Sequence, residues 1–394
     1  MPSAPVNTAA RPPLGDVVGT LRGALPAMLD DLRALVEVES PTSDHAALGR
    51  SADAVSALGE RLTGMPAQRL VRNGVPHLRW DLGDGPRRVL LIGHHDTVWP
   101  LGTLQRIPWS VADGVVRGPG CFDMKAGLVQ VFHALAALGP AYGVVPDGVT
   151  VLVTGDEEIG SPSSRSLVEE AARGCRAALV AEGAAPGGAV KVERKGIGGY
   201  RLHVTGRAAH AGLEPHLGVN AGVELAHQVL AVSDLADPAA GTTVTPTLSR
   251  AGSSANTVPD SAELTLDVRA TSQEELDRVA AGLRALRPHL PGAGLRVGGG
   301  TNRPPMPAGS AGELLALAGA VAASLELPVP AGAAVGGGSD GNFAAGVGTP
   351  TLDGLGAEGG GAHADDEHVV ADSLATRAAL VAGLVAALLS ADPA

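Results

Sequence analysis

Hydrophobic and polar positions along the chain follow two patterns, each typical of a different kind of sheet. In the first pattern, short continuous apolar runs alternate with stretches that have helical spacing of apolar residues. Continuous apolar runs indicate strands buried on both faces, and their alternation with helices predicts an α/β fold with a mostly parallel sheet. The predicted elements are a helix over Pro26–Val38, strands over Arg88–Gly93, Val149–Thr154 and Ala177–Ala181, and helices over Leu128–Leu138 and Asp372–Leu389.

The second pattern begins near Gly196–Gly199, where polar and apolar residues alternate strictly, as in strands buried on one face only. The predicted order is strand Tyr200–Thr205, helix Val219–Val232, strands Thr243–Arg250 and Ala262–Arg269, a helix opened by the capping sequence Thr271–Glu275, and a strand near Gly294–Val297. This order is the ferredoxin-like plan. Because the first pattern returns after Asn302–Met306, we predict an α/β domain over residues 16–196 and 303–394, with an α+β domain inserted over residues 197–302.

Composition narrows the class of protein. With 45% hydrophobic and 18% charged residues, the 394-residue chain can bury a substantial core, which excludes a disordered protein. The formal charge of −12 argues against a nucleic-acid partner. The presence of only two cysteines suits a reducing compartment. We find neither a signal peptide nor an uncharged apolar run of about 18 residues. We therefore expect a cytoplasmic protein without a membrane partner.

Polar clusters follow the predicted buried strands. His94 and Asp96 lie at the end of the first strand and point to the same side of an extended chain. The His94 imidazole could bind a metal while the Asp96 carboxylate fixes the tautomer of the ring. Alternatively, the two side chains could simply hydrogen-bond to each other. Asp123, in a glycine-rich turn before a helix, could be an N-cap or could bridge two cations.

Three consecutive acids, Asp156 to Glu158, end the second buried strand. They would repel one another unless cations or a shared proton intervene, and the alternative is a solvated acidic turn. Adjacent carboxylates could supply one ligand, Glu158, and one free base, Glu157. Glu182 follows the third strand, and His363 precedes the C-terminal helix; a loop charge and a helix-cap neighbourhood would also explain them.

Taken together, two imidazoles and three carboxylates are expected at one edge of the sheet, namely those of His94, Asp123, Glu158, Glu182 and His363. Such a nitrogen and oxygen set suits two divalent ions about 3.5–4 Å apart. From about residue 25 to 390, the chain resembles metallopeptidase family 20, which includes glutamate carboxypeptidases, acetylornithine deacetylases and succinyl-diaminopimelate desuccinylases. The resemblance is carried, in order, by GHHDTVW, GPGCFDMKAG, GDEEIGS, Glu182 with its following glycine, GRAAHAG and GAHADDE.

The resemblance implies two Zn²⁺ ions, with Co²⁺ or Mn²⁺ as alternatives. It implies that His94 and Glu182 bind one ion, that Glu158 and His363 bind the other, and that Asp123 bridges them. The fold it implies is a zinc-peptidase catalytic domain with an inserted ferredoxin-like dimerisation or lid domain.

Further roles are also implied by the resemblance. Asp96 would orient the first imidazole, and Glu157 would be the general base that activates metal-bound hydroxide. His210, in the inserted domain, would reach the active site of the partner subunit of a homodimer. Asn256 and Arg269 would hold the substrate carboxylate.

The resemblance is strongest to the glutamate carboxypeptidase type. It implies hydrolysis of the amide bond of a C-terminal amino acid in a small peptide or N-acyl conjugate. The lysine with which that type recognises glutamate has no clean counterpart, since Lys191 aligns only with a gap. The alternatives are an N-acyl-amino-acid deacylase or desuccinylase of the same fold, and a non-catalytic scaffold with broken ligands.

Overall fold

The computed structural model describes residues 16–142 and 146–390; the N-terminal stretch in which we find no signal peptide lies outside them. The described residues form two compact units. The first contains the residues up to Val192, Gly309–Ala333 and the residues after Gly346, and the second contains Glu193–Ala308 and Ala334–Gly346. The domain boundaries at 197 and 302 stay a prediction. The main stretch of the second unit extends a few residues beyond both of them, and the unit also includes Ala334–Gly346.

The helices and strands are numbered in chain order. The helices are α1 (Val17–Gly23), α2 (Leu25–Val36), α3 (His45–Thr63), α4 (Thr103–Arg106), α5 (Ala126–Tyr142), α6 (Arg165–Ala172), α7 (Ala221–Ser233), α8 (Gln273–Ala285), α9 (Gly312–Ser324), α10 (Gly341–Gly346) and α11 (Ser373–Ser390). The strands are β1 (Gln68–Arg72), β2 (Val75–Leu82), β3 (Val89–His94), β4 (Ser110–Ala112), β5 (Val115–Arg117), β6 (Val149–Thr154), β7 (Ala177–Val180), β8 (Val190–Arg194), β9 (Gly196–Thr205), β10 (Thr243–Ala251), β11 (Ser261–Ala270), β12 (Gly294–Arg303), β13 (Gly332–Val335), β14 (Thr351–Leu352), β15 (Gly359–Gly360) and β16 (His368–Val370).

The first unit is built on a six-stranded sheet with the order β1-β2-β6-β3-β7-β14. Strands β6, β3, β7 and β14 run parallel; β2 pairs antiparallel with β6, and β1 pairs antiparallel with β2. Every residue of β3 and β6 is buried, as their continuous apolar sequences predict. The α/β fold with a mostly parallel sheet is therefore confirmed.

The β1–β2 hairpin was not predicted. Asn73 and Gly74 link its strands with positive φ angles of 53° and 83°. Positive φ at both central residues is the requirement of a tight hairpin turn, and Asn-Gly is the dipeptide that meets it best. The Asn-Gly dipeptide was therefore an available sequence signal for this hairpin. Strand β2, which follows it, runs antiparallel to β6 and makes the sheet mixed.

The second unit contains an antiparallel sheet with the order β10-β11-β9-β12. The chain order strand, helix, strand, strand, helix, strand makes it ferredoxin-like, as predicted. Burial alternates along β11 because α7 and α8 pack on one face of this sheet. The predicted cap of α8 is also present, since the Ser272 hydroxyl accepts a hydrogen bond from the backbone N–H of Glu275.

Two segments of the described chain are long and apolar enough to cross a membrane, Cys121–Gly139 and Ser373–Ser390. In each, 78% of the apolar window is buried inside the protein. Helices α5 and α11 pack against each other in the core of the first unit, which accounts for their apolar composition.

The N-terminus of α5 approaches the end of β7 so closely that only glycine fits. A Cβ atom on Gly127 would lie 1.9 Å from the carbonyl oxygen of Ala181. We expect Gly127→Ala to lower the free energy of unfolding by about 1–3 kcal/mol or more, because the helix and strand must separate. Denaturant unfolding measures this, with Gly312→Ala as the control, since nothing lies within 4 Å of a Cβ there. Equal stability of the two variants would contradict the close approach.

Candidate metal centre

The sheet of the first unit delivers three acid- or histidine-bearing segments to one edge. His94 is the last residue of β3, the acids Asp156 to Glu158 follow β6, and Glu182 follows β7. These three strands are neighbours and run parallel, so their carboxyl ends meet at the same edge. The three segments are thereby brought together by topology alone.

Asp123 lies between two imidazoles. Its Oδ1 is 3.1 Å from His94 Nε2, and its Oδ2 is 3.3 Å from His363 Nε2. Glu182 Oε1 lies 3.4 Å from His94 Nε2, and Glu158 Oε2 lies 3.2 Å from His363 Nε2. The structure thus brings all five predicted ligands together, and it directs Asp123 to the imidazoles rather than to a helix N-terminus.

Asp96 connects two of these segments. Its backbone carbonyl accepts a hydrogen bond from His94 Nδ1 at 3.0 Å, which leaves Nε2 facing the acids. Its carboxylate accepts hydrogen bonds from the backbone N–H groups of Glu157 and Glu158, both at 3.2 Å, and from the Thr42 hydroxyl at 2.7 Å. Asp96 therefore fixes both the orientation of the His94 ring and the position of the acidic turn.

The carboxylates hold protons on both imidazoles. Burial alone would lower the pKa of His94, but the carboxylates of Asp123, Asp96 and Glu182 outweigh it and hold that pKa well above its usual range. Hydrogen bonds to Asp123 and Glu158 raise the pKa of His363 to about 10. The cluster therefore favours positive charge at both imidazole positions.

The donor set fits divalent cations. Burial raises the pKa of Glu158, and its Oε1 is a buried atom without a hydrogen-bond partner. A buried carboxylate oxygen normally has a partner, so this unpaired oxygen is suited to coordinate a cation. His94, Asp123 and Glu158 have ligand atoms within 4.8 Å of one another, as do His94, Glu157 and Glu182. Imidazole and carboxylate ligands are those that zinc accepts in proteins.

A hydrogen-bond network behind the acidic turn was missed in the sequence. The buried Asp156 carboxylate accepts hydrogen bonds from the Ser163 backbone N–H at 2.7 Å and from the hydroxyls of Ser163 and Ser164 at 2.6 and 2.5 Å. His77 Nε2 lies 3.0 Å from the Ser163 hydroxyl, and Gly155 donates to its Nδ1. Ser163 and Ser164, a few residues after the acids, were the available sequence signal, since short serine side chains often satisfy a neighbouring turn.

In the second unit, His210 and Asn256 are neighbours. His210 Nδ1 accepts hydrogen bonds from the backbone N–H groups of Gly212 and Leu213, both at 3.1 Å, so its exposed Nε2 carries the proton of the neutral ring. The backbone N–H of Ala211 donates to the backbone carbonyl of Asn256 at 2.9 Å. His210 and Asn256, two of the three residues of this unit that are predicted to contact substrate, therefore lie side by side.

Arg269 is not brought to the same place. It lies near the far end of β11, eight residues after Ser261, a separation of roughly 26 Å along the strand. Its guanidinium also makes two parallel hydrogen bonds to Asp267, at 2.8 and 2.9 Å. Within one chain, Asn256 and Arg269 are thus too far apart to hold the same small carboxylate.

Known proteins share this architecture. A profile of peptidase family M20/M25/M40 matches residues 90–387. Carboxypeptidase G2 of Pseudomonas sp. (strain RS-16) is 34% identical over 91% of this chain and 89% of its own length. Succinyl-diaminopimelate desuccinylase 2 of Shewanella loihica is 31% identical over 54% of this chain and 61% of its own. The crystal structure of aminopeptidase PepT from Bacillus cereus, 21% identical, has the same fold, with a TM-score of 0.71 over 92% of this chain and 98% of its own.

The family profile covers most of the chain, and the first of these relatives aligns along nearly its whole length. The motifs quoted above lie in the matched region, and all of them except GRAAHAG, which belongs to the second unit, carry residues of the cluster of acids and imidazoles. The chain therefore belongs to peptidase family M20/M25/M40, the metallopeptidase family that its motifs resemble.

Proposed function

We propose that this member of the family is a dinuclear zinc hydrolase that removes a C-terminal amino acid, in the manner of a glutamate carboxypeptidase, from a small peptide or N-acyl conjugate. The observation that carries the proposal is the Asp123 carboxylate, which offers one oxygen to each of two imidazole–carboxylate pairs. His94 and Glu182 would hold one cation, and Glu158 and His363 the other. Co²⁺ or Mn²⁺ would suit the same donors.

Two cations held there would polarise the amide carbonyl and make a water molecule more acidic. Glu157 acts as general base: it takes a proton from the attacking water and returns it to the leaving nitrogen. The proton on His210 Nε2 stabilises the negative charge that develops on the carbonyl oxygen. Arg269, once released from Asp267, pairs with the free carboxylate of the substrate through two parallel hydrogen bonds.

A homodimer would reconcile the separation of the substrate-binding residues. Each active site would take His210, with Asn256, from the partner copy rather than from the copy that supplies Arg269. The second unit has surfaces suited to such pairing. Val223 and Leu230 on α7 are 45% and 69% exposed, and the edge strand β10 is mostly exposed, with Leu248 at 65%. Exposed apolar residues beside an open sheet edge favour association.

Zinc binding is expected to release protons, because the carboxylates raise the pKa of both imidazoles and an imidazole must be neutral to bind metal. As the pH falls, protons compete more strongly with zinc for the imidazole nitrogens, and zinc affinity decreases. Titration calorimetry in buffers of different ionisation enthalpy measures the protons released. At pH 8, His363→Ala should reduce the release by roughly one proton, because the pKa of His363 is raised to about 10. A binding heat that does not depend on the buffer would contradict these protonation states.

A substrate panel tests the reaction itself. We expect the zinc-loaded protein to hydrolyse peptides and N-acyl amino acids with a free C-terminal carboxylate, and to cleave the matched C-terminal amides roughly 10²-fold more slowly, because the amide cannot pair with Arg269. Preference for N-succinyl substrates would instead favour the desuccinylase alternative, which the similarity to desuccinylases supports. Failure to cleave any member of the panel would overturn the proposal.

A further inference from the structure

Glu367 is a buried carboxylate that accepts four hydrogen bonds, all from distant parts of the chain. Oε2 accepts from the Trp99 indole N–H at 2.7 Å and from the backbone N–H of Gly120 at 2.9 Å. Oε1 accepts from the backbone N–H groups of Phe122 and Asp123, at 2.9 and 3.0 Å. Each oxygen thus has both of its lone-pair directions occupied. The side chain has no exposed surface.

The segments that Glu367 joins are those that carry predicted ligands. Trp99 belongs to the stretch that follows β3 and His94, and the three backbone donors belong to the turn that carries Asp123. Glu367 itself is four residues after His363, in the same loop. Its hydrogen bonds therefore tie the loop of one imidazole to the backbone of the turn whose carboxylate lies between the two imidazoles.

We infer that Glu367 is a positioning residue that sets the separation between Asp123 and His363, and with it the affinity for the second cation. The inference rests on the proposed function, since it concerns the same cations. Glu367 does not reach the ligand atoms; it acts through the backbone N–H of Asp123 and through its own loop. Groups that orient metal ligands in this way typically contribute 10–100-fold to metal affinity.

The structure explains why a carboxylate is needed. All four partners are N–H donors, and a carboxylate offers only acceptors. Glutamine has the same shape, but its NH₂ group would face two of these donors in either orientation. Burial raises the pKa of Glu367, and the N–H groups of Asp123 and Gly120 and the indole of Trp99 oppose that rise. The substitution Glu367→Gln therefore disturbs the link while changing little volume.

A matched control exists in the second unit. Glu224 is also fully buried, and it accepts hydrogen bonds from the backbone N–H groups of His289 and Leu290 and from the Gln228 side chain. It lies on α7 and contacts no predicted ligand. Glu224→Gln therefore removes a buried hydrogen-bond acceptor, as Glu367→Gln does, without affecting the metal centre. The comparison separates a positioning role of Glu367 from a merely structural one.

The test measures zinc affinity by competition with a chelator, and the absorption spectrum of the Co²⁺-loaded protein, in the full-length wild type and both variants. We expect Glu367→Gln to weaken the binding of one cation 10–100-fold and to change the Co²⁺ spectrum, whereas Glu224→Gln changes neither. Unchanged zinc affinity and an unchanged spectrum in a folded Glu367→Gln protein would overturn the inference.

If Glu367→Gln does not fold, Trp99→Phe decides, because it removes one of the four donors and keeps the aromatic ring and the carboxylate. A smaller loss of zinc affinity in this variant supports the positioning role, and wild-type affinity overturns it. The wild type distinguishes failure of the proposed function from failure of the inference about Glu367. If the wild type binds no zinc, the proposed function fails. If the wild type binds zinc and the variants bind it equally well, only the role of Glu367 is rejected.

Discussion

Replacing Glu157 with glutamine is expected to lower kcat for amide hydrolysis by about 10²–10⁴-fold, which is the usual contribution of a general base. Glutamine keeps the size of the side chain but cannot accept a proton at neutral pH. The backbone N–H of Glu157 still donates to Asp96, so the turn keeps its position. Steady-state kinetics on the best substrate of the panel, with metal content measured on the same sample, gives the result.

Metal content separates two roles for Glu157, because its carboxylate also lies within 4.8 Å of ligand atoms of His94 and Glu182. A general base can be replaced without loss of zinc, whereas a ligand cannot. Glu169→Gln is a suitable control, since Glu169 forms surface ion pairs with arginines on and next to α6. Full activity of Glu157→Gln would reject its role as base, and loss of zinc would make it a ligand.

Mixed dimers are expected to recover activity that each parent variant lacks. His210→Ala should reduce turnover by about 10²–10³-fold, because it removes a donor to the developing oxyanion. In a dimer of one Glu157→Gln chain and one His210→Ala chain, one of the two sites has an intact base and receives an intact His210 from the other chain. Random reassortment of equal amounts should therefore restore about a quarter of the wild-type activity.

The control for this experiment mixes Glu157→Gln with a chain that carries both substitutions. No arrangement of those chains assembles a complete site, so no activity should return. Subunit exchange is followed independently by native mass spectrometry with one chain isotopically labelled. Mixed dimers that form without any recovery would show that His210 does not act across the dimer.

The elements that sequence predicted well are those determined by local pattern. Strand β6 begins and ends at the predicted residues, Val149 and Thr154, because a continuous apolar run between polar turns leaves little choice. The convergence of His94, Glu158 and Glu182 was also predictable, since side chains at the ends of neighbouring parallel strands must meet. In both cases, the determining interactions lie within the strand or between adjacent strands.

Other features depended on contacts that local pattern does not encode. The donors to Glu367 are between 244 and 268 residues away along the chain, and three of the four are backbone groups, which have no sequence signature. The pairing of Arg269 with Asp267 was accessible, because residues two apart on a strand share a face. The distance from Arg269 to Asn256 required the strand register of the second unit.

Anomalous diffraction at the zinc edge, from crystals of the zinc-loaded protein, is the most direct test of the two-cation site. The proposed site predicts two peaks about 3.5–4 Å apart, with Asp123 between them, His94 and Glu182 on one, and Glu158 and His363 on the other. A single peak, or peaks elsewhere in the molecule, would contradict the dinuclear site and the mechanism derived from it.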